Sequence, residues 1–254
     1  MKKQKTNFMA IVISFVFSCI LIYFFTIKNL RKETQLASKL STIGIQNLKT
    51  GQKKMTNMLK AFDQMCSTND ITYFVIGGTL LGAVVYKGWI PWDGDIDIEI
   101  LQSDWNKLNV LLKNGLPNSM WLQTEETDNN YKSWKAWFVM GKIRDLNSCY
   151  LNCQDGTKFH NGFMIDLNLF YVENNKVIMP DNDKVDYMEY EDVFPLKRVP
   201  FDDIMVNIPY NSEKYLKNNY GNRYYDDIEI EKRYPHEGTL DPYNTCKHHK
   251  QMYS

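Results

Sequence analysis

Phe74-Val75-Ile76-Gly77-Gly78-Thr79-Leu80-Leu81-Gly82-Ala83 and then Ile90-Pro91-Trp92-Asp93-Gly94-Asp95-Ile96-Asp97-Ile98-Glu99-Ile100 decide how the chain is read. Phe74 to Ile76 is an apolar, β-branched run that stops at two glycines, as a strand entering a turn does. Thr79 to Tyr86 predicts a short helix behind the Gly77-Gly78-Thr79 turn. Such a turn directs backbone N–H groups and a positive helix end at the space above it, a favourable place for phosphate. The second segment alternates strictly, with Ile96, Ile98 and Ile100 pointing one way and Asp95, Asp97 and Glu99 the other.

Asp95 and Asp97 therefore leave one strand face roughly 6.6 Å apart. Carboxylates held that close repel each other unless a cation lies between them. Hard divalent ions such as Mg²⁺ or Mn²⁺ take oxygen ligands and commonly share them with substrate phosphate. Asp93, just ahead of the pair, either adds a further ligand or orients the loop. A solvated acidic edge strand is the plain alternative, and the glycine turn ahead of the pair argues against it.

Gly78-Thr79-Leu80-Leu81-Gly82-Ala83, followed by Ile90-Pro91-Trp92-Asp93-Gly94-Asp95-Ile96-Asp97-Ile98, closely resembles the signature of the LicD/fukutin family. That family includes bacterial phosphocholine transferases and the animal proteins fukutin and fukutin-related protein. The resemblance implies an α+β, nucleotidyltransferase-like mixed sheet flanked by helices. It also implies transfer of a phospho-alcohol from a CDP-linked donor to the hydroxyl of a glycan acceptor on a glycoprotein or glycolipid. Ribitol phosphate, glycerol phosphate and phosphocholine are all open as the group transferred.

Two later segments bear on the same chemistry. Trp137 to Asp145 reads as a strand on which Lys142 and Arg144 share a face. Either they are solvated or they meet donor phosphate, which Arg binds in bidentate fashion. Lys142-Ile143-Arg144-Asp145 is similar to a recurring element of the family, which favours phosphate. In Phe163-Met164-Ile165-Asp166-Leu167-Asn168-Leu169-Phe170, Phe163, Ile165, Leu167 and Leu169 line one face and leave Asp166 and Asn168 on the other. An Asp there is costly unless paired or metal-bound. The family carries a further acidic residue in a matching context, so the resemblance makes Asp166 the third carboxylate.

With 254 residues, 44% of them hydrophobic, the chain suffices for one domain and a short appendage. A formal net charge of zero gives no reason to expect nucleic acid as a partner. Thr6 to Ile27 carries no charge over about 22 residues, enough to cross a bilayer as one helix. Its apolar core is too long for a cleaved signal peptide, and Ser18-Cys19-Ile20 is a poor cleavage site. The expected organisation is a tail at 1–5, a transmembrane anchor at 6–27, a stem at 28–50 and the catalytic domain at 51–254. Basic residues flank the span almost equally and do not orient it. The resemblance does, implying a single-pass type II protein of the Golgi or ER membrane with a lumenal domain.

Met55, Met58, Leu59, Phe62 and Met65 recur at helical spacing and predict a helix packed on the sheet. Ser103 is placed to cap a helix presenting Trp105, Leu108, Leu111 and Leu112 to the core. Val193 to Pro209 predicts a hairpin, with Lys197 and Arg198 as candidates for donor or acceptor contact, although a solvated turn is the favoured reading. Glu213 to Gly221 predicts a helix closed by glycine. Of five cysteines, Cys149 or Cys153 can pair with Cys246 in an oxidising compartment. A zinc site from Cys149, Cys153, Cys246, His248 and His249 matches no strong ligand spacing.

The pattern as a whole describes a metal-dependent phosphotransferase with Asp95, Asp97 and Asp166 as ligands and the Gly77-Gly78-Thr79 turn holding a donor phosphate. A sugar-nucleotide glycosyltransferase also uses Asp-x-Asp, yet has no use for the glycine turn or the third Asp. An inactive scaffold serving a partner transferase is the other alternative. For the anchor, protease treatment of sealed microsomes is expected to spare the C-terminal domain until detergent is added. Digestion without detergent would refute the lumenal orientation.

Overall fold

The computed structural model describes residues 23–28, 42–128, 131, 139–151, 162–180, 185–226, 234–235 and 238–246. The expected anchor lies outside the described residues except at 23–27. Among the described residues, no helix is long and apolar enough to cross a membrane.

Helix α1 (Thr42–Thr68) opens the domain. It starts within the stretch read as stem, because Leu48 extends the buried stripe of Met55, Leu59, Phe62 and Cys66 backwards at helical spacing. Gly51 sits where α1 meets the tail of the domain, since a Cβ there would lie 2.5 Å from Leu240 Cδ2. Strand β1 (Tyr73–Val75) leads into α2 (Gly77–Leu81), which continues as one π-helical stretch through Tyr86. Strand β2 (Ile96–Leu101) follows, and then helix α3 (Trp105–Gly115). Ser103 does not cap α3: it lies in a 3₁₀ turn, Asp104 takes the cap position, and the Asp104 side chain instead accepts from Thr72 N–H at 2.8 Å.

The chain continues through β3 (Met120–Gln123), β4 (Val139–Asp145), β5 (Cys149–Leu151) and β6 (Met164–Glu173). After these come β7 (Lys176–Pro180), β8 (Val185–Glu189) and the turn-length helix α4 (Tyr190–Val193). The expected hairpin is β9 (Lys197–Phe201) with β10 (Ile204–Ile208), and the expected helix is α5 (Ser212–Tyr220), closed by Gly221 at φ 84°. Arg198 is not on a free turn, because its guanidinium grips Asp63 of α1, with Nη2 2.9 Å from Oδ2. Strand β11 (Thr239–Asp241) pairs with β5.

A mixed seven-stranded sheet flanked by helices organises these elements. Its order is β1-β2-β6-β4-β3, with β7 beside β6 and β8 beside β7. Among the described residues, only β2 and β6 run parallel. That pairing needs a long crossover, here the segment carrying α3, β3, β4 and β5. The inward residues Ile96, Ile98, Ile100, Ile165 and Leu167 are fully buried, and α1 packs against β6. Alternation then leaves the acidic residues of β2 and β6 on the opposite face.

Cys149 at the start of β5 is disulfide-bonded to Cys246, whereas Cys66 is a buried free thiol. Cys153, His248 and His249 lie outside the described residues. The bond closes a loop with a sequence separation of 97. Replacing Cys246 by Ser is expected to cost about 2–5 kcal/mol, measured as a shift in the urea midpoint under non-reducing conditions. An unchanged midpoint would mean that β5 and β11 are held without it.

Candidate metal and phosphate site

Parallel pairing of β2 with β6 sets Asp97 opposite Asp166. Asp95 lies two residues before Asp97, at the entry to β2. Ligand oxygens of Asp95, Asp97 and Asp166 all fall within 4.8 Å of one another, the spacing of carboxylates around one cation. This donor set is oxygen only, which suits Mg²⁺ or Mn²⁺ and gives soft metals nothing to prefer.

The strand alternation carries one more acid along this face. Glu99 is buried, and its Oε2 has no partner among the described residues. Burial, with the Asp97 charge as second cause, pushes its carboxyl up to about 8. It therefore holds a proton at neutral pH and adds no fourth negative charge.

The glycine turn lies directly against these acids. Gly77 has φ +58°, and a Cβ on it would stand 2.9 Å from Asp97 Oδ2. A Cβ on Gly78 would stand 2.7 Å from Asp93 Oδ2. Only glycine lets the backbone come this near to the carboxylates while keeping a left-handed φ. Asp93 thus lies beside the turn, outside the group of three, and its Oδ1 accepts from Gly94 N–H at 3.1 Å. Thr79 is buried, and its Oγ1 accepts from Asp97 N–H at 3.0 Å, tying the turn to β2.

The two cations of β4 have different surroundings. Lys142 is paired in register with Asp166, and its Nζ lies 2.5 and 2.7 Å from the two carboxylate oxygens. Arg144, two residues on, is 5% exposed. Its Nε donates to Gln123 Oε1 and its Nη1 to the Gly162 carbonyl, both at 2.9 Å. Lys142 therefore belongs to the acidic cluster directly, and Arg144 to a buried network under β3 and β4.

Two tyrosines join the site without any sequence signal. Tyr220 ends α5 and is 45% exposed, yet its phenol is raised by desolvation and then by the charges of Asp97, Asp93 and Asp95. Buried Tyr131 is likewise raised, first by burial and then by Asp166.

Residues 70–211 match the model of the family described as LicD/FKTN/FKRP, nucleotidyltransferase domain. A lipopolysaccharide cholinephosphotransferase, LicD of Haemophilus influenzae, is 38% identical over 139 residues, covering 52% of this chain and 48% of its own. An uncharacterized protein of Rickettsia typhi is 25% identical over 186 residues, covering 71% of this chain and 51% of its own. The chain spans about half the length of the curated relatives it matches.

Replacing Gly77 by Ala is expected to cost about 1–2 kcal/mol, the usual penalty of left-handed backbone. It should also displace Asp97 and shrink the Mn²⁺-induced rise in melting temperature. A full metal-induced rise in this variant would mean that the turn and the carboxylate are independent.

Proposed function

Since the chain belongs to the LicD/FKTN/FKRP family, we propose that it is a metal-dependent phosphotransferase moving a phospho-alcohol from a CDP-linked donor to a glycan hydroxyl. The observation that carries this reading is the group of Asp95, Asp97 and Asp166, with oxygens within 4.8 Å of one another, beside the Gly77-Gly78 turn. The name of the Haemophilus influenzae relative puts phosphocholine first among the candidate groups, ahead of ribitol phosphate and glycerol phosphate.

Asp95, Asp97 and Asp166 would hold Mg²⁺ or Mn²⁺. When bound, such an ion neutralises donor phosphate oxygens and stabilises the charge that develops as the bond to CMP breaks. The Gly77-Gly78 turn brings bare backbone up to the donor phosphates. Of the two strand-face cations, Lys142 is assigned to donor phosphate, because its Nζ already stands against Asp166 of the acidic group. Arg144 is instead held in the interior by Gln123 and the Gly162 carbonyl. Asp166 takes the proton of the acceptor hydroxyl, and the freed oxygen attacks the phosphorus bearing the alcohol. A new oxygen–phosphorus bond forms as the bond to CMP breaks, and CMP leaves with the electron pair.

Asp97→Asn and Asp166→Asn test this reading on the full chain, with CDP-choline, CDP-ribitol and CDP-glycerol offered in turn. CMP release from the accepted donor should fall by several orders of magnitude in both variants. The melting temperature of Asp97→Asn without metal should hold or rise, because like-charge repulsion is removed, whereas that of Asp166→Asn should not rise, because the Lys142 ammonium also loses its partner. Near-normal turnover together with an intact Mn²⁺-induced shift would remove that residue from the site.

A further inference from the structure

Asp93 and Asp95 sit on a loop, since β2 begins only at Ile96. Three carboxylates crowded together repel one another, so the loop needs bonds that stop Asp95 from swinging outward. Two buried side chains supply them. Gln52 of α1 donates Nε2 to the carbonyls of Ile90 and Asp93, at 3.2 and 2.9 Å. The Tyr150 hydroxyl of β5 donates to the Gly94 carbonyl at 2.6 Å.

The second bond reaches the peptide that leads directly into Asp95. The Gly94 carbonyl oxygen and the Asp95 amide belong to one planar unit, so fixing the oxygen fixes the direction in which Asp95 starts. Tyr150 is itself tightly held. It is 3% exposed, its ring packs on Phe163 with centroids 5.1 Å apart, and it is paired in register with Leu240. The neighbouring Cys149 is bonded covalently to Cys246.

We propose that Tyr150 is a positioning residue for the acidic metal set, holding Asp95 against Asp97 and Asp166 through the Gly94 carbonyl. The inference rests on the metal-site reading above and adds a residue that touches neither metal nor substrate.

Tyr150→Phe removes only the hydroxyl and keeps the ring that packs on Phe163. In the full-length chain, the Mn²⁺ dissociation constant is read by electron paramagnetic resonance of the free ion. It is expected to rise about tenfold or more, the usual effect of losing a group that orients metal ligands. Ser212→Ala is the control, because Ser212 Oγ donates to the Pro209 carbonyl at 2.6 Å in another buried hydroxyl–carbonyl bond. Both variants should lose some stability to urea, and only Tyr150→Phe should lose Mn²⁺. A wild-type chain that holds Mn²⁺, with Tyr150→Phe holding it equally well, would overturn this inference and leave the proposed function standing. A wild-type chain that holds no Mn²⁺ would overturn both.

Discussion

The site depends on the parallel register of β2 on β6. Asp97 pairs with Asp166, and on the far side of β6 Asp166 pairs with Lys142. Three charged residues from three strands thus form a row across the sheet, at the spacing set by backbone hydrogen bonds. Neighbouring rows on the other face are Ile96 with Ile165 and Ile98 with Leu167, all fully buried. Because side chains alternate, a slip of one residue would bury the acids and expose the aliphatic residues. The hydrophobic core therefore fixes which carboxylates meet.

Bringing them together has an electrostatic cost. At an effective dielectric near 20, two unit charges separated by the 4.8 Å limit repel by about 3 kcal/mol. The structure offsets this in several ways. Lys142 places its ammonium on Asp166. Burial of Glu99 keeps its proton on, so the acidic face does not gain a fourth charge at neutral pH. The entry loop is held from outside by Gln52 and Tyr150. These restraints hold the carboxylates together against their mutual repulsion.

The polar faces of β2 and β6 were legible in the sequence because alternation is local. Ile96-Asp97-Ile98-Glu99-Ile100 and Phe163 to Phe170 each announce a strand with one polar face, and their joining is tertiary. The glycine turn was legible as a turn, but its contact with Asp97 and Asp93 was not, since that depends on how β1 lies on β2. Lys142 and Arg144 look equivalent on a strand, and they differ because Gln123 and Gly162 enclose only the second. Gln52, Tyr150 and Tyr220 carried no signal. The bond of Tyr150 to Gly94 crosses 56 residues, and no local pattern marks a tyrosine that will find a loop carbonyl. The start of α1 was missed at Leu48, where a single buried residue continues the helical stripe into a polar stretch read as stem.

Stability and chemistry are joined here more closely than in a site built on loops alone. Burying one Ile or Leu stabilises the fold by about 1.5–3 kcal/mol, comparable to the repulsion of one carboxylate pair. The aliphatic residues of β2 and β6 outnumber the acids, so the core can hold the charges in place without help from a ligand. Asp95 is the exception, because it precedes the strand and has a ladder residue, Ile96, on one side only. Its position rests on the loop's hydrogen bonds to Gln52 and Tyr150. Of the three acids, it is therefore the one whose geometry is decided by polar contacts rather than by packing, and the one most sensitive to changes at residues far away in sequence.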